Sequence, residues 1–349
     1  MPSGIHFSEH RLVVRFVTPL LLGAAEENST GDAIELSGKA LRGAWRFWFR
    51  AMAAGCLQEP GDVTAFADLE DRVFGSTGQS AFRMRIIPRP ETIARVTQVN
   101  RLPNKPPHGF APFRNAVARG ATFVITIYPR REDAQALDAL RASIWVWANL
   151  GGLGNRSRRG FGSPSLLELF ESSETESNGK ATDLPACGHF EDKADLEAHL
   201  RKGLRNAQKP IARALAGSRL AAGIDVNPWP QQQPFFILSS LSQISVGDPF
   251  GALLVPGGAL DAIHGGNGCG DNLGRGGTDP WASPIIVRLH EMRAISCKTQ
   301  YLPIMTWCHQ SVISSPLVEL QPASPLGERL GSFFDKAHLG QTLKGNTLL

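Results

Sequence analysis

The stretch with the greatest chemical potential is 151–163, GGLGNRSRRGFGS. It holds five glycines (Gly151, Gly152, Gly154, Gly160, Gly162), three arginines (Arg156, Arg158, Arg159) and no acid. Glycine reaches left-handed backbone conformations closed to other residues. Successive glycine-rich N–H groups can also form an anion-binding nest. Arginine adds a planar fork of donors that matches phosphate oxygens. Gly152, Gly154, Asn155, Arg156, Arg158 and Arg159 are therefore candidate contacts for an anion. A Walker loop is excluded, because no Lys-Ser or Lys-Thr follows the glycines. The dinucleotide fingerprint needs a strand before its glycines and a helix after them. Here the predicted order is helix, glycines, strand. An extended polyanion fits better than a single pyrophosphate.

A second cationic set comes from spacing. Ser37 reads as an N-cap for a helix over 38–54. Lys39, Arg42, Arg46 and Arg50 recur at intervals of three, four and four. They fall within an arc of roughly 80°. Leu41, Trp45, Trp48 and Met52 lie away from them and suit a core. The helix contains no acid, so its like charges repel by a few tenths of a kcal/mol per i,i+4 pair. A solvated face normally mixes signs, and an anionic partner would offset the repulsion.

Other reactive residues point less clearly to a site. Cys187 and His189 lack two further ligands nearby, so no zinc site is expected. His6 and His10 precede a strand, where their spacing does not place them on one face. Glu26, Glu27 and Asp32 share the loop after the first strand and read as a solvated acidic loop. His264 and Cys269 sit in 256–280, a 25-residue stretch with nine glycines, where preorganisation is poor. No nucleophile elbow, zincin motif or kinase set occurs. No catalytic residue, metal or cofactor is expected. Trp45, Trp48, Trp145 and Trp147 read as core rather than base-stacking platforms.

The chain has 349 residues, which suggests two domains. Net charge is only +4 but uneven. Between Arg83 and Arg119 lie eight basic residues and one acid; between Glu171 and Glu197 lie eight acids and two lysines. This implies a basic first half followed by an acidic, solvated joint. Five cysteines without a C-x-x-C, no signal core and no spanning-length apolar run imply a reduced, soluble, cytoplasmic protein with no membrane partner.

Strands are predicted over 11–17, 81–88, 121–128 and 164–170, and a second helix over 133–150. The segment 89–120 reads as a long loop rich in proline, basic residues and aromatics (His108, Phe110, Phe113), a mixture that suits single-stranded nucleic acid. The order strand, helix, strand, strand, helix, strand is the split βαβ, or ferredoxin-like, arrangement of RNA-recognition domains. After the polar segment 171–183, a helical region is expected over 191–216, with strands over 234–240, 283–290 and 299–307 and a closing helix over 326–339. The fold class is α+β.

Four early segments resemble a known family in order: TPLLLG (18–23), LRGAWRFWFRAMAAG (41–55), VFGST (73–77) and the glycine loop. WASPIIVRLHEM and YLPIMTW, within 281–307, also resemble that family's second domain. The family is the first RAMP subunit of the type III-B CRISPR Cmr complex. The resemblance implies two ferredoxin-like RAMP domains with long loop insertions, here 1–172 and 184–349. It implies a non-catalytic subunit near the 3′ end of the CRISPR RNA. Its partners would be CRISPR RNA, target RNA and other Cmr RAMP subunits. Arg42, Arg46, Arg50, Arg156, Arg158 and Arg159 fall on matching motif positions and would meet phosphates. In related backbone subunits an aspartate in the loop after the first strand cuts target RNA. Asp32 matches it by position only. Two other readings remain open: an RNA endonuclease, and a purely structural subunit whose basic helix meets an acidic protein.

Overall fold

The computed structural model describes residues 9–22, 36–56, 66–75, 79–93, 96–100, 113–158, 160–171, 184–185, 190–216, 243–246, 285–292 and 300–307. The first strand, β1 (His10–Phe16), alternates: Leu12, Val14 and Phe16 enter the main core and Arg11 and Arg15 lie on the opposite face. Helix α1 (Gly38–Gly55) and short helix α2 (Ala67–Phe74) follow. Ser37 is the N-cap residue of α1, but its hydroxyl makes no capping bond; its carbonyl accepts from Leu41 N–H. Strand β2 is Phe82–Pro88.

The predicted loop 89–120 is partly structured. It contains the one-turn helix α3 (Pro90–Ile93) and an antiparallel pair, β3 (Val96–Asn100) with β4 (Phe113–Val117). Proline content hid this pair, because the prolines cluster between and before the two strands. His108 and Phe110 lie outside the described residues.

Strand β5 (Thr122–Pro129), helix α4 (Ala134–Leu150) and strand β6 (Pro164–Glu171) complete the first half. The sheet order is β2-β5-β1-β6, and every neighbouring pair is antiparallel. Counted along β1, β2, β5 and β6 alone, that order is two, three, one, four, as the predicted split βαβ arrangement requires. Asp133 caps α4 by accepting from Ala136 N–H at 3.0 Å, and Arg72 grips the same carboxylate. Together the N–H bond and the arginine hold that carboxyl below its usual range despite partial burial, which pushes the other way.

In the second half, α5 (Lys193–Ala216) carries Leu196, Leu200, Leu204, Ala207 and Ile211 into the core at helical spacing. Strands β7 (Gln243–Val246), β8 (Ile285–Glu291) and β9 (Tyr301–Trp307) form an antiparallel sheet in the order β7-β9-β8. β7 falls outside every predicted strand. The segments 234–240 and 326–339 lie outside the described residues. A single hydrophobic cluster contains Leu12, Trp45 and Ile125 from the first half and Leu200, Ile244, Ile286 and Ile304 from the second.

Helices α4 and α5 meet at Gly203. A Cβ there would stand 1.9 Å from Cζ2 of Trp145. Trp145 is fully buried and its indole N–H donates to the Pro185 carbonyl at 3.0 Å, so the ring cannot step aside cheaply. Gly203→Ala gains helix propensity of about 1 kcal/mol. Overpacking costs about 1–3 kcal/mol and wins. The expected result is a lower denaturant midpoint for Gly203→Ala; a raised one would contradict this packing.

Candidate nucleic-acid interface

The glycine loop is built around the end of β1. Leu153 N–H donates to the Gly162 carbonyl at 3.0 Å, closing the loop on itself. Asn155 N–H donates to the Leu21 carbonyl at 2.7 Å, and Gly162 N–H to the Pro19 carbonyl at 2.8 Å. Thr18 Oγ1 donates to the Gly160 carbonyl and accepts from Ser163 N–H. Two glycines are required by geometry. Gly154 has φ of 81°, and a Cβ there would lie 2.3 Å from the Leu21 carbonyl oxygen. Gly162 has φ of 58°, and a Cβ there would lie 2.1 Å from the Leu153 carbonyl oxygen. Arg156 also takes a left-handed conformation, with φ of 60°.

These bonds change the meaning of the glycines. The amides of Gly151, Leu153, Asn155, Ser157 and Gly162 all donate to protein carbonyls. They are not an array aimed outward at an anion, so the nest expected from composition is largely spent on the fold. What the loop offers outward is side chains: Asn155 is exposed, and Arg156 and Arg158 are half-buried. Burial pulls the Arg156 guanidinium below its ordinary range without discharging it. Arg159 lies outside the described residues.

The loop packs on α1. A cleft of about 280 Å³ lies between them, lined by Ala40, Ala44, Phe47, Trp48, Gly152 and Arg158 among others. The Arg158 guanidinium stands over the Phe47 ring, 5.3 Å from its centroid. Trp48 is buried as predicted, whereas Phe47 is half-buried and faces the cleft.

The basic ridge of α1 turns elsewhere. At about 100° per residue it points roughly 130° away from Ala40, Ala44 and Phe47. Arg42 stands over Phe82 of β2 at 5.1 Å, and Arg46 over Phe74 of α2 at 5.8 Å. Lys39 is exposed. The structure thus joins Gly152, Gly154, Asn155, Arg156 and Arg158 into one site and places Lys39, Arg42, Arg46 and Arg50 on another side of α1.

The missing counter-charge of the ridge is inside the molecule. Glu70 of α2, 6% exposed, meets Arg46 Nε at 2.7 Å and Arg50 Nη2 at 2.6 Å through Oε1. Its Oε2 accepts from Arg50 Nε at 2.6 Å. One carboxylate between two guanidiniums leaves a surplus of positive charge. Burial first, then repulsion from Arg130 and Arg46, lowers Arg42 below its ordinary range. Arg130, from the turn after β5, is an addition to the ridge that spacing along α1 could not show.

Glu70→Gln tests this arrangement. It keeps the shape and removes the charge. The expected result is a stability loss of about 1–3 kcal/mol in chemical denaturation, from buried groups losing a charged acceptor. RNA affinity at low salt should rise, because two guanidiniums gain freedom. A fall in affinity would remove the ridge as an anion-facing surface.

Among the described residues no group of three or more His, Cys, Asp or Glu could hold a metal, and no helix is long and apolar enough to cross a membrane. Cys187, His189, Glu26, Glu27, Asp32, His264 and Cys269 lie outside those residues. His10 is buried near Arg141.

The family model of the RAMP superfamily matches residues 13–165, which run from β1 through the glycine loop into β6. That matched segment holds the described residues of both cationic sites, and part of the chain is similar to Cmr1 subunits. It is 27% identical over 174 residues to the CRISPR system Cmr subunit Cmr1-1 of Pyrococcus furiosus, covering 47% of this chain and 49% of that one. It thus spans about half the length of that relative. It is 26% identical over 183 residues to Cmr1-2 of the same organism, covering 44% of this chain and 93% of that one. In fold it resembles the apo crystal structure of Cmr1 from Pyrococcus furiosus, with a TM-score of 0.51 and 16% identity over 89% of this chain and 92% of that one. It also resembles a chain of the type III-B Cmr-beta complex bound to cognate target RNA, with a TM-score of 0.54 and 12% identity over 87% of this chain and 95% of that one. These structural likenesses are of fold alone.

Proposed function

We propose that this chain is a non-catalytic RNA-binding subunit of a type III-B CRISPR effector. It lies near the 3′ end of the CRISPR RNA, among other Cmr RAMP subunits, in the cytoplasm. Its partners are CRISPR RNA and target RNA. The division into two ferredoxin-like domains, 1–172 and 184–349, belongs to the same proposal. The observation that carries it is the loop site. Arg158 overhangs Phe47 at a cleft of about 280 Å³, beside Arg156, on a backbone fixed by its own hydrogen bonds. Cations meet phosphates there, and a half-buried ring offers a face for one base, a combination that holds single strands without reading sequence. Sequence would be read by base pairing between guide and target.

The test is a map of RNA cross-links on the assembled particle. Cross-links to 151–163 and to Phe47 are expected. A map with RNA contacts confined to other subunits would overturn the reading. Incubating the isolated chain with labelled RNA and divalent metal should leave the RNA intact; clean cleavage lost on Asp32→Ala would make it a nuclease. A purely structural subunit is the second reading, favoured by the internal pairing of Arg46 and Arg50 with Glu70. It requires protein-only cross-links along Arg42, Arg46 and Arg50.

A further inference from the structure

The glycine loop has two stems, the end of α4 and the start of β6. Both are held from the second half of the chain. The last carbonyls of a helix have no partners within it. Here Trp147 O accepts from Gly151 N–H at 2.8 Å. Two more are taken by side chains of β8. Ala148 O accepts from Arg288 Nη1, and Asn149 O from His290 Nε2 at 3.1 Å. His290 is therefore the Nε2–H tautomer, with Nδ1 turned to Arg288 at 3.4 Å.

Arg288 is fully buried. Its Nη2 donates at 2.7 Å to the carbonyl of Pro164, the first residue of β6. One guanidinium thus bridges the two stems. The flanking backbone grips the loop between them. Val287 N–H donates to the Arg158 carbonyl at 2.9 Å, and Leu289 N–H to Ser163 Oγ at 3.2 Å. Both N–H groups lie on the edge of β8 turned from β9, so the loop lies along an edge of the β7-β9-β8 sheet. The negative end of the α4 dipole offsets part of the cost of burying the cation. A planar fork reaches two carbonyls in different directions, which an ammonium on a flexible stem does less well.

We propose that β8 is a clamp for the glycine loop and that Arg288 is a positioning residue for RNA binding. It sets the backbone from which Arg156 and Arg158 project, without itself meeting the ligand. This rests on the reading that those arginines contact RNA. The segment WASPIIVRLHEM marks the clamp in sequence: an arginine and a histidine at alternate positions after an apolar run, Ile285–Val287.

The experiment uses the full chain with Arg288→Lys, Arg288→Ala and Ser163→Ala. Hydrogen exchange of 151–163 and titration with a labelled single-stranded RNA are read together. The clamp predicts faster exchange of the loop amides in the Arg288 variants, and RNA binding weakened about tenfold with a flatter salt dependence. It also predicts non-additivity: Arg288→Ala should cost little more once Arg156 and Arg158 are already Ala, as expected of residues acting through one element. Unchanged loop exchange, or losses that add in full, would overturn it. If Arg288→Ala fails to fold, Ser163→Ala decides, since it removes one acceptor of the clamp and fills no new space. If the loop-arginine variant alone binds RNA normally, the proposed function falls, and loop exchange in the Arg288 variants still decides whether β8 is a clamp.

Discussion

Changing Arg156, Arg158 and Arg159 together to alanine should weaken binding of single-stranded RNA by roughly 100-fold at 0.1 M salt. Each phosphate neutralised on a single strand contributes about 0.7 to the slope of log affinity against log salt. Three contacts give a slope change of about 2, and therefore about two decades at one-tenth molar relative to one molar. The gap between parent and variant should close as salt approaches one molar. Fluorescence anisotropy from 50 to 400 mM salt reads both quantities. Equal loss at every salt would point to a collapsed loop instead of lost phosphates. Replacing the same residues by lysine should keep most of the slope and lose only the fork geometry. Unchanged affinity in the triple alanine variant would remove the loop from the interface.

The second large effect is acid lability. Three buried or half-buried histidines stay neutral in the fold. His10 is pulled down to about 4 by burial and then by Arg141. His199 is pulled down to about 4 by burial and by Arg288, with Asp195 acting against them. Burial, Arg288 and His199 hold His290 well below its ordinary range, while its bond to Asn149 acts the other way. His199 and His290 also sit edge-on to Phe190. The sign follows from proton uptake. Below pH 6.5 the unfolded chain binds protons at these positions and the folded chain does not. Stability therefore falls with pH from about 6.5 downward, and the contributions of His10 and His199 level off only near pH 4. Each proton contributes at most about 1.4 kcal/mol per pH unit. Denaturant titrations at pH 7.5, 6 and 5 should show a steep decline, and His199→Gln should make it shallower by about one proton. A stability independent of pH over this range would contradict the neutral assignments.

Much of the frame could be read from the sequence because it rests on local periodicity. Leu12, Val14 and Phe16 alternate, and Trp45, Trp48 and Met52 recur at helical spacing; both patterns survive into the core. The β3-β4 pair was hidden because its strands are short and flanked by proline. The candidate site was legible in part. The loop stood out by composition, yet composition could not show that its amides are used to close it. The absence of acid in α1 pointed to an anionic partner and could not show the counter-charge that α2 supplies. Glu70 lies on another helix, 20 residues from Arg50, and that pairing exists only once α1 and α2 pack. Arg288 was harder still, since its bonds to Ala148 and Pro164 span 140 and 124 residues. Periodicity reports burial on a face; it carries no information about which distant carbonyl a buried donor will meet.

The dependence of α4 on β8 also has a meaning in time. During synthesis about 140 residues separate Ala148 from the side chain that caps it. At 5–20 residues per second, the ribosome takes roughly 7–28 s to deliver Arg288 after Ala148. Throughout that interval the nascent α4 carries those carbonyls solvated by water, and the loop gains its final hold only once β8 has been made.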